Sequence, residues 1–156
     1  MSSQNNSRTG AFKTFFIPQC EVSIIHKKLQ PDEISEVLDL NPTSTVRIGE
    51  SVGGVTARQS IWVLDSYESV QSHDLEAHLN WLVSKFSSKR SVIKTLRKSG
   101  AIMELGILID TWNSFERIII PPSIVTTVGH LGIGITLDLV IHEDRREFFS
   151  YMDCPD

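Results

Sequence analysis

The sequence has 156 residues, 40% of them hydrophobic and 22% charged, and a formal net charge of −4. This length predicts a single domain that buries a sizeable core without help from a metal or a disulfide. The composition is ordinary for a soluble globular protein, and the negative charge argues against general nucleic-acid binding. The two cysteines, Cys20 and Cys154, form neither a disulfide framework nor a metal site in such positions.

The N-terminal stretch MSSQNNSRTG is polar and lacks the apolar core of a secretory signal. No apolar run approaches the ~20 residues of a membrane span, so we expect a cytoplasmic protein that does not enter membranes. Residues 1–11 are rich in Ser, Asn and Gly, which predicts a disordered tail. We expect residues 12–142 to form a single α+β domain, and residues 143–156 to form a C-terminal tail that can pack on it.

The first two elements of the domain are a strand and a short helix. Apolar and polar residues alternate through QCEVSIIH, which predicts a strand with one buried face. The segment QPDEISEVLDL predicts a helix with Pro31 at its first position and acidic residues in its first turn. Its buried stripe consists of Ile34, Val37 and Leu38. We expect Asn41-Pro42 to end this helix, because a proline disfavours helical geometry in the residue before it.

A glycine-bearing loop, GESVGGVTAR at residues 49–58, follows the helix. It matches neither a Walker loop nor a dinucleotide-binding loop, since Gly53-Gly54 is followed by Val-Thr and then by a strand. We therefore expect a connection or a recognition loop, not a phosphate site. In the strand QSIWVLDS that comes next, the inward-facing side chains are either Trp62 and Leu64 or Ile61 and Val63.

Two helical segments and a strand follow. The first helix is predicted to begin near Ser72 or Asp74, with Asp74 as an N-terminal helix residue. Its buried stripe consists of Leu75, Leu79, Leu82 and Phe86. The second helical segment buries Val92, Ile93 and Leu96. It is predicted to end at Gly100. The segment AIMELGILID is apolar on both faces except at Glu104, which predicts a central strand.

The last predicted elements are a helix and a strand. Pro121-Pro122 opens the helix and Gly132 ends it. Its buried residues are Ile124, Val128 and Leu131. Alternation in GITLDLVIH predicts a final strand with Thr136 and Asp138 facing outward. The inward-facing residues of this strand are Ile135, Leu137, Leu139 and Ile141.

Two parts of the sequence, residues 19–64 and 101–142, show a faint internal similarity. Each contains a strand, a helix opened by proline and another strand, with apolar residues three and seven positions after Pro31 or Pro121. This predicts two pseudo-repeated β-α-β halves. The resulting fold class is α+β and ferredoxin-like, with a mainly antiparallel sheet of four or five strands and helices on one face.

Several motifs stand in the order of a known family. They are PDEISEVLDLNPT, a turn at Gly49, SIWVL, a helix opening with DLEAHLNWL, a strand, a helix opening with PPSIV, and a last strand. In this order they resemble the bacterial family catalogued as domain of unknown function 4279, over roughly residues 15–142. The most specific parts are the run ending at Pro42-Thr43 and the strand with Trp62.

The resemblance implies a fold and no activity. Residues 143–156 fall outside its pattern. Small single-domain proteins of this kind also occur among the immunity proteins that neutralise bacterial toxins, which is an association between classes of protein.

The sequence gives only weak evidence for catalytic or metal-binding residues. Asp74 and His78 share a helix face but have no evident third ligand, so we expect no metal or cofactor and a surface position for His78. Cys20 lies in no nucleophile motif and is expected in the core. Glu104 and Asp138 lie on strands that can be neighbours. They would either form a carboxylate pair for acid–base catalysis or be solvated side chains on an open sheet face.

Candidate partner-binding residues are of three kinds. Arg90, Lys94 and Arg97 form one stripe of a basic helix, which would meet an acidic partner or remain a solvated face. Trp112 and Phe115 lie in a predicted loop and would form an exposed aromatic contact or cap the core. Aromatic residues of the tail, Phe148, Phe149 and Tyr151, have the same two interpretations. Glu104 and Asp138 complete the set.

The leading hypothesis is a non-catalytic bacterial protein-binding domain, namely an immunity or inhibitor protein that neutralises a toxin by direct binding. The size, the acidity and the missing catalytic constellation motivate it. The alternative is a small-ligand-binding or regulatory module. A third hypothesis is a hydrolase that uses Glu104, Asp138 or His78. We expect no nucleic-acid partner, and the sequence does not specify an oligomeric state.

Overall fold

The computed structural model describes residues 16–111 and 118–141, and the side chains of residues 18–109 and 118–140. The predicted tails, residues 1–11 and 143–156, lie outside this range. The strands are β1 (Phe16–His26), β2 (Ser44–Val46), β3 (Ser51–Val52), β4 (Val55–Thr56), β5 (Ser60–Asp65), β6 (Ile102–Thr111) and β7 (Gly134–Ile141). The α-helices are α1 (Pro31–Leu38), α2 (Leu75–Phe86), α3 (Arg90–Lys98) and α4 (Pro122–Leu131). None of the helices in these ranges has the length and apolar character needed to span a bilayer.

The main sheet has five strands in the order β2-β5-β1-β6-β7. All neighbours pair antiparallel except β6 and β7, which run parallel. The predicted α+β class and the five-stranded, mainly antiparallel sheet are therefore confirmed. The ferredoxin-like plan of two equivalent halves is not confirmed. The strands joined through α1, β1 and β5, pair antiparallel, whereas the strands joined through α4, β6 and β7, pair parallel.

One face of the sheet is buried under the helices, as the alternation in β1 predicts. Cys20, Val22 and Ile24 lie on this face and are at most 3% exposed. Trp62 of β5 settles the ambiguity in that strand, because its ring contacts Phe86 of α2 edge to face, with the ring centroids 6.3 Å apart. The Trp62 indole also donates a hydrogen bond from Nε1 to the hydroxyl oxygen of Ser35 in α1 (3.0 Å).

Helix α1 ends earlier than its sequence predicts. The last helical residue is Leu38, and Asp39 has a left-handed backbone with φ of 51°. Proline at position 42 restricts only its immediate predecessor, so it does not set the end of the helix. The residue after this proline, Thr43, already belongs to the sheet. Its backbone N–H donates to the carbonyl oxygen of Val63 (2.8 Å) and so extends the pairing of β2 with β5.

The glycine-bearing loop is a β-hairpin formed by β3 and β4. Its two turn residues, Gly53 and Gly54, have φ of 57° and 80°. Positive φ at both central residues is the geometry that a tight two-residue hairpin requires, and glycine adopts it without strain. The loop is thus a two-stranded hairpin that lies between β2 and β5 in the chain, with no phosphate-binding motif.

The predicted ends of the later helices are confirmed in two places. Asp74 is the N-cap of α2, where its carboxylate accepts a hydrogen bond from the backbone N–H of Glu76 (3.0 Å). Gly132 ends α4 with φ of 69°. A Cβ atom at Gly132 would collide with the guanidinium group of Arg97, so the end of α3 packs closely on the end of α4.

Strand β7 is an edge strand whose inner side is only partly covered. Ile135, Leu137 and Leu139 pair with core residues of β6, so the predicted face is right. Their side chains are nevertheless 38%, 50% and 48% exposed. Burial is incomplete because the strand stands at the margin of the sheet, where the described helices leave its inner face partly open.

Candidate functional site

None of the described helices and loops covers the sheet face opposite the helical layer, and we call it the open sheet face. The side chains of successive strands meet there in rows because directly opposed residues point to the same side. Its described residues are Gln19, Glu21, Ser23, Ile25, Ser44, Val46, Ile61, Val63, Asp65, Ile102, Glu104, Gly106, Leu108, Gly134, Thr136, Asp138 and Val140. None of them is a lysine or an arginine.

One end of the open sheet face is acidic, and we call it the acidic end. Glu21 of β1 lies opposite Asp65 of β5 and, on its other side, opposite Gly106 of β6. A Cβ atom at Gly106 would stand 3.2 Å from Cγ of Glu21, so the glycine lets the glutamate lie low across β6. Asp138 of β7 joins the same end, one row further along.

A groove of about 710 Å³ runs over the acidic end. Glu21, Asp65 and Asp138 line it together with Tyr67 and Glu68, which follow β5. The Tyr67 side chain is 59% exposed. A large exposed aromatic ring beside several carboxylates can stack on an apolar or cationic group of a bound molecule.

Electrostatic repulsion acts within this end of the face. Partial burial raises the pKa of the Glu21 carboxyl group, and the nearby carboxylates of Asp65 and Asp138 raise it further. Within the described part of the chain, the one ion pair joins Arg47 to Asp32, away from the groove (2.8 Å). The carboxylates of the acidic end therefore lie close together, and no described lysine or arginine forms an ion pair with them.

The other end of the open sheet face is aliphatic. Val46, Ile61, Ile25 and Ile102 stand opposite one another in a single row across β2, β5, β1 and β6. We call these four residues the aliphatic row. Ile102 is 55% exposed and the other three are half-buried. A groove of about 480 Å³ beside Val46 and Ile61 extends the apolar surface to the β3–β4 hairpin.

Residues 14–142 match the model of a family described as a domain of unknown function (DUF4279). The chain belongs to the DUF4279 family. No curated protein and no solved structure matches it. The match contains every strand and helix described above, so the open sheet face is part of the DUF4279 domain.

Two predicted site residues, Glu104 and Asp138, do share the open sheet face of this DUF4279 domain. They do not form a carboxylate pair, because Glu104 stands opposite Gly134 and Asp138 stands opposite Leu108. Four residue steps along a strand separate them by about 13 Å. The interpretation as a solvated pair of side chains on an open face therefore fits, and the acid–base pair does not.

The other predicted contact residues lie elsewhere. Arg90, Lys94 and Arg97 are exposed on α3, which belongs to the helical layer on the opposite side of the sheet. The guanidinium group of Arg97 packs at Gly132, so part of its role is structural. Trp112 and Phe115 lie outside the described residues.

Cys20, a candidate nucleophile, and His78, a candidate metal ligand, are both buried in the DUF4279 domain. Burial raises the pKa of the Cys20 thiol to about 12, as expected for a core cysteine. His78 is 2% exposed, so its predicted surface position is wrong. No three His, Cys, Asp or Glu side chains converge as a metal-binding group within the described ranges.

His78 is buried because hydrogen bonds satisfy both of its ring nitrogens. Nε2 donates to the carbonyl oxygen of Ser72 (2.8 Å), and Nδ1 lies 2.8 Å from the hydroxyl oxygen of Ser66. A serine beside a histidine is the arrangement of an activated nucleophile. The Ser66 hydroxyl is fully buried, however, and also lies 3.0 Å from the carbonyl oxygen of Cys20, so it links α2 to β1.

Sequence reasoning missed Glu21, Asp65, Tyr67 and Glu68 as site residues. A signal existed for Glu21, since the alternation that buries Cys20 and Val22 also turns Glu21 outward. The register that places Glu21 opposite Asp65 joins positions far apart in the sequence, and no local pattern specifies it.

Proposed function

We propose that this DUF4279 domain is a non-catalytic protein-binding domain that receives its partner on the open sheet face. The observation that carries the proposal is the convergence of Glu21, Asp65 and Asp138 from three strands with no described cation among them. Like charges held together cost stability. Such a local cost is common at sites that serve function.

Within this class, we propose an immunity or inhibitor role in the cytoplasm, in which the domain neutralises a bacterial toxin by direct binding. The acidic end is complementary to a basic surface, and complementary charge accelerates association and selects the correct partner. The groove beside Tyr67 supplies the pocket and aromatic anchor found in tight protein interfaces. The net charge of −4 acts in the same direction at longer range.

Co-expression with the product of the adjacent gene tests the proposal. We expect that product to arrest growth alone and to be harmless beside the wild-type domain. Asp138→Lys reverses a charge at the acidic end and should abolish protection. Lys94→Glu reverses a charge on the helical layer and should preserve it. Full protection by the Asp138→Lys variant, or an adjacent product without toxicity, would count against this role.

The second candidate function is a small-ligand-binding or regulatory module. The groove volume of about 710 Å³ favours it, because small-molecule sites commonly occupy about 300–1,000 Å³. The carboxylates around Tyr67 would select a cationic ligand, such as an organic amine. Native mass spectrometry of protein purified from its host would then show a stoichiometric adduct of low mass, which the Asp138→Lys variant loses.

A further inference from the structure

We infer that the partner presents an amphipathic helix to the open sheet face, with apolar side chains on the aliphatic row and basic side chains on the acidic end. This inference rests on the proposed protein-binding function and specifies the chemistry of the partner.

The apolar part of the partner follows from the aliphatic row. Four aliphatic side chains in one row across four strands make a surface about 14 Å wide, since neighbouring strands lie about 4.8 Å apart. Ile102 is 55% exposed at one end of the row. An α-helix with its side chains is about 10–12 Å across, so one helix covers most of this width.

The helical form follows from backbone hydrogen bonding. A segment that lies on an apolar sheet face loses water from its peptide groups, and each buried group without a partner costs free energy. A helix satisfies these groups internally. An extended segment would satisfy them only by pairing with a sheet edge, which is a different surface from the aliphatic row.

The spacing follows from the strand register. The aliphatic row contains Ile25 and Ile61, and the row of Glu21 and Asp65 lies four residues along the same strands. At about 3.4 Å per residue, the two rows are about 13–14 Å apart. A helix rises about 1.5 Å per residue and has 3.6 residues per turn, so basic side chains about seven to eleven residues from the apolar ones share their helix face and reach this distance.

The charge excludes a second copy of this chain as the occupant. The open sheet face has no described lysine or arginine, so two such faces would bury Glu21, Asp65 and Asp138 without a cation. Burying carboxylates without a counter-charge is strongly unfavourable, because each charge loses its hydration and gains no partner. A basic partner segment removes this cost and lowers the repulsion around Glu21.

Binding of synthetic helices to the full-length protein tests the inference. The probe is a stapled helix of about 18 residues, with leucines in its first two turns and arginines about seven and eleven residues later on the same face. In one comparison helix serines replace the leucines, and in the other glutamates replace the arginines. Fluorescence anisotropy should show binding of the probe at least about tenfold tighter than of either comparison helix. Equal affinities, or no binding of the probe, would overturn the inference.

Variants of the protein locate the binding. Ile102→Ser should weaken probe binding about tenfold, because it removes the most exposed part of the aliphatic row. Glu21→Gln with Asp138→Asn should weaken it similarly and reduce its dependence on salt. Lys94→Ala on the helical layer is the matched control and should leave affinity unchanged. Probe binding that Ile102→Ser and the Glu21→Gln/Asp138→Asn double variant both leave intact would place the site elsewhere and refute the inference.

Two further results separate this inference from the proposed function. A natural protein partner that contacts the open sheet face, yet binds Ile102→Ser as tightly as wild type, would contradict the inference and leave the proposed function standing. Sedimentation should show a monomer over a range of concentrations. A dimer that Ile102→Ser dissociates would show that a second copy occupies the face, and would overturn the inference.

Discussion

Glu21 of β1 stands directly opposite Asp65 of β5, and both carboxylates face solvent on the open side of the sheet. Cross-strand neighbours of like charge destabilise a sheet, whereas opposite charges or aromatic pairs would stabilise it. The domain therefore keeps an unfavourable pair in the centre of its sheet, where a lysine in place of either residue would remove the repulsion. The unfavourable pair is explained if its negative charge binds a basic partner.

Glu21→Gln should stabilise the isolated domain at neutral pH. Burial and the neighbouring carboxylates raise the pKa of Glu21 in the folded state above its unfolded value. The folded state then holds the proton more tightly between the two values, so the stability that Glu21 contributes falls as pH rises through that window. After allowance for solvent screening, the gain for Glu21→Gln is about 0.2–1 kcal/mol.

Urea unfolding from acid to neutral pH measures this gain. The difference between Glu21→Gln and wild type should be near zero below the ordinary pKa of glutamate and should grow as pH rises above it. Glu36→Gln, on the exposed side of α1, is the control for the chemical change from glutamate to glutamine. A glutamine variant that is less stable than wild type at neutral pH would mean that Glu21 has a stabilising partner.

Ser35→Ala should destabilise the fold by about 1–2 kcal/mol, because it leaves the buried N–H group of Trp62 without an acceptor. Denaturant unfolding followed by tryptophan fluorescence measures this loss. Ser84→Ala is a matched control, since Ser84 is also helical but donates its hydroxyl hydrogen bond at the surface. The control should change stability by less than about 0.5 kcal/mol. Equal effects would show that Trp62 finds another acceptor.

His26 should carry its proton on Nε2 in the neutral ring. Nδ1 accepts hydrogen bonds from the backbone N–H groups of Lys28 and Leu29 (3.0 and 2.8 Å), so it holds no proton. Nε2 lies 3.1 Å from the hydroxyl oxygen of Ser99 and donates to it. Nitrogen-15 NMR of the imidazole ring reports the tautomer directly, and a proton on Nδ1 would contradict this arrangement.

Replacement of His26 gives a second test of the same contacts. His26→Ala removes the acceptor for two N–H groups and should cost about 2 kcal/mol or more. His26→Asn supplies an acceptor oxygen near the position of Nδ1 and should recover a large part of that loss. Equal destabilisation by alanine and asparagine in urea unfolding would show that His26 stabilises the fold through packing of its ring and not through its hydrogen bonds.

Gly132→Ala should cost about 1 kcal/mol or more, because alanine does not readily adopt the left-handed backbone at this position. The new methyl group would also displace the guanidinium group of Arg97. Arg97→Ala should therefore cost less in the Gly132→Ala background than in wild type, with a coupling of about 0.5 kcal/mol or more in a double-mutant cycle. Additive effects would mean that the contact between α3 and α4 does not contribute to stability.

The sequence predicts the local structure of this domain well, because period and capping are local signals. Alternation through β1 fixes which side chains are buried, and Asp74 and Gly132 mark helix ends as expected. Helix α1 ends before the predicted position because Asp39 adopts a left-handed backbone that no local motif requires. His78 was placed at the surface because a polar residue gives no sign of the buried hydrogen bonds that satisfy it.

The site depends on strand register, which joins residues distant in the sequence. The aliphatic row unites positions 25, 46, 61 and 102, and each of them alone is an ordinary half-exposed residue. Glu104 and Asp138 were predicted as candidates from their outward orientation, but the distance between them depends on where β7 aligns with β6. Parallel and antiparallel registers are set by the packed core and by connections, so the sequence alone did not supply them.

The central claim is that the open sheet face, and not the helical layer, receives a protein partner. Site-specific photo-crosslinking in the native host tests it most directly, with p-benzoylphenylalanine in place of Leu108 on the open sheet face or in place of Lys94 on α3. We predict one discrete protein adduct from position 108 and none from position 94. An adduct from position 94 alone, or from neither position, would contradict the claim.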